Sequence, residues 1–203
     1  MLEGIDGCGK TTQAKRLVCW LIQKGFDAVF LKEPSEGPWG RLIKKKAGRR
    51  NGLTPLQEFE LFQKDRKENV ELNIKPALKN HKIVVLDRYY FSTIAYQGAK
   101  GIDRNEIKER NDNIAVPPDL VIILDIDAKS GLNRIKGRKR KDGLFEREDY
   151  LQKVGEIFQS FSGERIIHLD GKKSRDQLFL KIKAKVMDQI KKLVIRSHNA
   201  KKY

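Results

Sequence analysis

Eight residues near the start constrain this chain more than any others: Gly4-Ile5-Asp6-Gly7-Cys8-Gly9-Lys10-Thr11. They fit the pattern GxxxxGK[ST] in full. The glycines let the backbone curl so that successive N–H groups point inward at an anion. A helix opening directly behind the loop adds its partial positive end. In such a loop the lysine reaches the outer phosphates of a nucleotide and the hydroxyl of Thr11 meets Mg²⁺. Gly4 through Thr12 are therefore the candidate nucleotide-binding residues. The bland alternative is a glycine turn with no ligand, but the helical pattern that follows argues against it. Thr11–Lys24 carries Leu17, Val18, Leu21 and Ile22 on one stripe, and Gly25 suits its end. Cys8 sits where a helix N-terminus lowers a thiol pKa, yet a small residue at a variable position is the simpler reading.

A central strand should precede such a loop, and only Met1-Leu2-Glu3 stand there. A typical strand has about five or six residues. The expectation is a clipped first strand, and a higher melting temperature for a form extended by a few apolar residues. Further along, short apolar runs lie at Ala28–Leu31, Ile83–Leu86, Leu120–Ile126 and Arg165–Leu169. They lack strict polar alternation, as parallel strands covered on both faces do. Helical patterns fall between them. Thr54-Pro55-Leu56-Gln57 and Ser174-Arg175-Asp176-Gln177 read as capping boxes, the second opening a helix with Leu178, Ile182, Val186 and Ile190. The alternation implies an α/β fold of three layers, α/β/α, around a mostly parallel central sheet of the P-loop NTPase type. No linker or repeat divides residues 1–203, so one domain is expected.

Composition narrows the setting. The 203 residues are 39% apolar and 34% charged, which does not suit disorder. No apolar run is long enough to span a bilayer, and the early Glu3 and Gly4 do not read as a signal peptide. Two cysteines make no disulfide framework, and a reducing cytoplasm is expected. The formal charge is +16, and residues 181–203 hold eight of the basic side chains against one acidic. Such an excess favours polyanionic partners: nucleotides first, nucleic acid second. The terminal basic segment lacks interleaved aromatics, and its apolar stripe suits docking on the sheet.

The run Ile83–Leu86 ends in Asp87-Arg88-Tyr89. An acid at the carboxyl end of a buried strand can orient a Mg²⁺ shell, so Asp87 joins Thr11 as a candidate metal residue. Arg88 can fork onto a phosphate with two parallel hydrogen bonds. At this point the chain resembles the thymidylate kinase family. Glu3 through Gln13 is similar to that family's opening, and Asp87 through Gly98 to its most specific motif. Glu33-Pro34, Leu61 through Arg66 and Pro118-Asp119-Leu120 fall in family order as well.

The resemblance implies an acceptor site for a nucleoside monophosphate. Phe62 would stack on thymine, Arg66 would donate to its carbonyl, and Asp6 would accept from the sugar hydroxyl. Arg88 would clamp the phosphate, Ser92 and Gln97 would meet the base edge, and Tyr96 would crowd the ribose. Glu33 belongs to the same set. The resemblance further implies ATP as phosphoryl donor and a homodimer. Without it, Phe62 would read as core, and Arg66 could equally be a helix-surface arginine pairing with Asp65 or Glu68.

The basic stretch from Arg134 to Gly143 reads either as a solvated loop or as a lid over phosphates, at about residues 137–147. The resemblance favours the lid, and because Gly7 stands where some relatives carry a catalytic arginine, the lid would supply one. Arg138 and Arg140 are the candidates, with Arg134 behind them. Ser35-Glu36-Gly37 departs from the Gly-Gly-Thr common after the Glu-Pro pair, bringing an extra carboxylate toward the phosphates. The leading expectation is ATP- and Mg²⁺-dependent phosphorylation of dTMP to dTDP, with Lys10, Asp87, Arg88, Arg138 and Arg140 as the catalytic set. The alternatives are a kinase for another nucleotide or a nucleoside, and a catalytically weak nucleotide- or nucleic-acid-binding relative.

Overall fold

A computed structural model of the chain describes residues 1–46, 52–135 and 148–200, the last five as backbone only. The expected lid, with Arg138 and Arg140, lies outside the described residues. In chain order the elements are β1 (Leu2–Glu3), α1 (Lys10–Gln23), β2 (Ala28–Lys32), α2 (Pro38–Lys46) and α3 (Pro55–Asn69). A π-helical turn, Val70–Ile74, joins α3 to α4 (Lys75–Lys79). Then come β3 (Ile83–Asp87), α5 (Tyr90–Gly98), α6 (Arg104–Asp112), β4 (Val121–Asp125) and α7 (Ala128–Ile135). The described chain ends with α8 (Glu148–Ser160), β5 (Ile166–Asp170) and α9 (Arg175–Ala200).

The sheet has five strands, all parallel, in the order β2-β3-β1-β4-β5. Helices cover both faces, giving the three layers expected from the sequence. The order reverses at β1, and in open α/β sheets ligands bind beyond the carboxyl ends of the strands at that point. The glycine loop leaves the end of β1, and Asp87-Arg88 leaves the end of β3 beside it. The four later strands fall within a residue of the sequence reading. The first covers only Leu2 and Glu3, yet it is the middle strand and bonds on both sides. The Met1 ammonium continues its line by donating to Leu120 O at 2.6 Å.

Strand residues Ile122, Ile123 and Leu124 are essentially fully buried, with Leu17 and Leu21 of α1 on one face and Leu151, Val154 and Phe158 of α8 in the same core. Each such side chain contributes roughly 1.5–3 kcal/mol by leaving water. That continuous core is what holds the strand ends, and hence the loops on them, in place. Both capping boxes form. Thr54 Oγ1 accepts from Gln57 N at 3.2 Å while Gln57 Oε1 accepts from Thr54 N at 3.1 Å, and Ser174 and Gln177 repeat the exchange at 3.3 Å.

Candidate active site

The loop between β1 and α1 is shaped by what it cannot hold. Gly4, Gly7 and Gly9 have φ of +129°, +83° and +101°, a region L-residues with side chains avoid. A Cβ on Gly7 would stand 2.2 Å from the carbonyl oxygen of Gly131 in α7. No side chain fits at position 7 in this arrangement, so an arginine there is excluded on steric grounds. Gly131, to which the sequence reading gave no role, is the surface that lets the loop pack down. Lys10 Nζ folds back and donates to Gly4 O at 2.9 Å and Ile5 O at 2.8 Å. Gly4, Ile5 and Cys8 are buried beneath the loop, whereas Asp6, Gly7, Gly9, Lys10, Thr11 and Thr12 line the open pocket. Among the described residues α1 begins with no side-chain cap and no acid in its first turn. Its first N–H groups therefore have a phosphate as their natural partner.

Thr11 Oγ1 donates to Asp87 Oδ2 at 2.5 Å. A hydroxyl and a carboxylate this close are hard oxygen donors of the kind Mg²⁺ takes alongside phosphates and water. Among the described residues no group of three or more His, Cys, Asp or Glu could hold a metal by itself.

Arg88 has φ of +70°, in the left-handed region, at a cost of about 1–3 kcal/mol that surrounding structure must offset. Its backbone N–H is held by Leu2 O at 3.1 Å. Its guanidinium lies on the face of Tyr96, 5.0 Å from the ring centre. It donates to Asp6 Oδ1 at 2.5 Å, Ser92 Oγ at 3.0 Å and Tyr96 Oη at 3.3 Å. Beneath it Glu3, fully buried, accepts from Tyr89 N at 2.7 Å, Ser92 N at 3.3 Å and Ser92 Oγ at 2.5 Å. Glu3 thus caps α5 from the neighbouring strand. The sequence reading left Glu3 without a role; the available signal was a carboxylate at the end of a central strand, where burial demands a partner. Burial raises the Glu3 carboxyl above its usual pKa, against the pull of Ser92 and Arg88. Burial also works on Asp6, but there Arg88 and Lys10 win and hold the carboxyl below the usual range.

The acceptor residues expected from the resemblance meet in one place. Asp6, Glu33, Phe62, Arg66, Arg88, Ser92, Tyr96 and Gln97 line the same pocket as Lys10, Thr11 and Asp87. Arg66 is 1% exposed, so it is no surface arginine. Its Nε and Nη2 donate to Glu33 Oε2 at 3.0 and 2.5 Å, Nη2 also to Thr93 Oγ1 at 3.0 Å, and Nη1 to Asn111 Oδ1 at 2.5 Å. A guanidinium has five N–H groups. These contacts use four, which leaves one for a ligand. Glu33 Oε1 takes Asn69 Nδ2 at 3.3 Å. Burial lifts the Glu33 carboxyl to about 6, Arg66 pulls it down, and Asp65 pushes it up. Gln97 donates to Glu58 Oε2 at 2.9 Å, while its own Oε1 is buried without a partner at the pocket wall. Glu36, expected near the phosphates, is instead mostly exposed and paired with Lys44 at 2.7 Å; it does not line the pocket. Arg134 donates to Gly171 O at 2.9 Å, tying α7 to the turn before α9.

A parallel sheet with a lysine-bearing glycine loop, an acid on the adjacent strand and further arginines in the same pocket defines a P-loop phosphotransferase. The family model for thymidylate kinase matches residues 2–182, and the chain belongs to that family. It is 40% identical over 201 residues to a probable thymidylate kinase of Archaeoglobus fulgidus, covering 99% of this chain and 96% of the relative. It is 41% identical to the thymidylate kinase of Desulfotalea psychrophila, covering 96% and 94%, and 37% identical to that of Brachyspira hyodysenteriae, covering 88% and 87%.

Proposed function

We propose that the chain transfers the γ-phosphoryl group of ATP to dTMP, giving dTDP and ADP. The observation that supports this is the shared pocket, which Lys10, Thr11 and Asp87 line together with Arg88 and Arg66. An oxygen of the acceptor phosphate attacks the γ-phosphorus, and the bond to the β–γ bridging oxygen breaks in line with it. The acceptor phosphate is already ionised, so no strong general base is needed. The protein's work is to hold two polyanions together. Backbone N–H groups of the loop and Lys10 hold the donor. Arg88, steadied by Asp6, Ser92 and Tyr96, clamps the acceptor phosphate. Thr11 and Asp87 would hold Mg²⁺, which would supply neutralisation of the charge on the transferring phosphates. The remaining N–H of Arg66 suits a keto oxygen and rejects an amino group, which favours thymine over cytosine. Phe62 offers an aromatic face to the base.

Arg138 and Arg140 belong to the same reading as the arginines brought in on closure, a contribution of about 10³–10⁵ in rate where such residues act. The steric block at Gly7 supports it. A homodimer follows from the family resemblance. A reducing cytoplasm suits the free thiols of Cys8 and Cys19. No helix among the described residues is long and apolar enough to cross a membrane. The test is ADP release across dTMP, dUMP, dCMP, dGMP and thymidine. The expected result is highest kcat/KM with dTMP. Turnover of thymidine but not dTMP would overturn the acceptor assignment.

A further inference from the structure

We propose that Asp65 and Ser35 form a positioning tie that sets Arg66 for the acceptor base, a role resting on the acceptor reading above. Asp65 is fully buried, and its two carboxylate oxygens accept from Ser35 N at 2.8 Å and Ser35 Oγ at 2.6 Å. The next residue along α3, Arg66, grips Glu33, two residues before Ser35. Adjacent residues of one helix therefore hold adjacent points of one loop. Neither tie alone fixes the loop's rotation about the other; together they do. Ser35 passes the constraint on, because its Oγ accepts from Gly37 N at 2.9 Å and its carbonyl accepts from Lys44 Nζ at 2.9 Å. Lys44 itself lines the acceptor pocket.

The hydroxyl matters chemically. A glycine at position 35 could offer the backbone N–H but no second donor. Here the carboxylate of Asp65 receives two bonds, one from backbone and one from side chain, and hydrogen bonds to charged groups are among the stronger ones. If the tie is cut, the Glu33 end of the loop gains freedom. Arg66 then loses the fixed carboxylate that orients its fork, and its one remaining N–H no longer stands at a set place in the pocket. Asp65 does not itself line the pocket, so it is a positioning residue and not a catalytic one.

Steady-state kinetics on the full chain test this. For Asp65→Ala the KM for dTMP is expected to rise more than about tenfold, a change of about 1.4 kcal/mol, while kcat and the KM for ATP stay within about threefold. Asp65→Asn can still accept from Ser35 N and donate to Ser35 Oγ, so it should restore most of the affinity. Ser35→Ala removes the hydroxyl half of the tie and keeps the backbone half, so its dTMP KM should rise by less than that of Asp65→Ala, and it carries the test should Asp65→Ala not fold. In the double variant the KM should match that of the worse single variant, because both cut the same link. An unchanged dTMP KM in Ser35→Ala and Asp65→Ala, or an equal fall in every kinetic parameter, overturns the proposal. So does a double variant whose effects multiply. The unaltered enzyme is measured beside them, and its own turnover of dTMP tests the acceptor reading separately. Should it prefer another monophosphate from the panel, the variant-to-parent ratios are read with that acceptor.

Discussion

The proposed donor grip and the proposed acceptor grip of this pocket are built from different materials. The donor grip lies within residues 4–11 and consists largely of backbone, shaped by three glycines at positive φ and steadied by one lysine. The acceptor grip consists of side chains drawn from far apart. Arg66 meets partners 33, 27 and 45 residues away, at Glu33, Thr93 and Asn111. A site made of backbone tolerates many side chains but no added Cβ at its tight points. A site made of buried charges tolerates nothing that leaves one of them alone, because desolvation is fully incurred and only the partner offsets it.

That difference predicts which change damages folding most. Arg66→Ala leaves Glu33 buried without its partner, and removing one member of such a pair costs about 3–5 kcal/mol. Urea denaturation should show a loss of that size, together with weaker dTMP binding. A loss under about 1 kcal/mol would mean that the carboxyl simply protonates or turns to solvent, and that the acceptor side is less tightly closed than its contacts imply.

Where the two grips meet the phosphates, the largest effect should fall on chemistry. Lys10→Ala and Arg88→Ala are each expected to lower kcat/KM for dTMP by at least about 10², the usual result of deleting one preorganised charge contact. The two should separate by substrate. The Lys10 variant should weaken ATP binding and the Arg88 variant dTMP binding, both by calorimetry. If both variants weaken the same nucleotide, the division of the pocket into two sides fails.

The same contrast explains what could be read in the sequence. The glycine loop, the strand ends and both helix caps are local, so spacing alone exposed them. Asp87 and Arg88 were legible because a strand's carboxyl end is where such folds place ligands. Phe62, Arg66 and Gln97 came only through family resemblance, since helical periodicity cannot say whether an arginine faces solvent or a buried glutamate. Glu3, Asn111, Gly131 and the Ser35–Asp65 contact were missed. Each acts on a residue distant in sequence, and no local pattern marks a carboxylate as the cap of another element's helix. The short first strand was noticed, but two residues bonded on both sides carry the middle of the sheet.

Acidity offers a finer test of the acceptor side. Burial raises the Glu33 carboxyl to about 6, from an ordinary value near 4.5. A raised pKa means that the neutral form suits the fold. Its contribution to stability is full below the unfolded value and is lost as pH rises through about 6. Orientation of Arg66 runs the other way, because the charged carboxylate accepts its donors more strongly than the neutral acid does. The dTMP KM should therefore fall several-fold as pH rises from 5 to 7. The acceptor phosphate ionises near pH 6 as well. Glu33→Gln separates the two: its profile should keep the phosphate's part and lose the rest. A profile identical to the parent's would show that Glu33 does not titrate in this range.

The smallest effect expected is also the cleanest control. Thr54 caps α3 at a solvent-exposed end, reciprocally with Gln57, on the helix that carries Phe62, Asp65 and Arg66. Thr54→Ala should cost about 1 kcal/mol of stability, as lost caps do. Asp65 and Arg66 are fastened by their own buried partners two turns and more from that end. Fraying of the first turn should therefore leave the dTMP and ATP KM values unchanged. A dTMP KM that rises with the loss of this cap would mean that α3 moves as a rigid rod, and that the buried side-chain ties do not by themselves set the acceptor site.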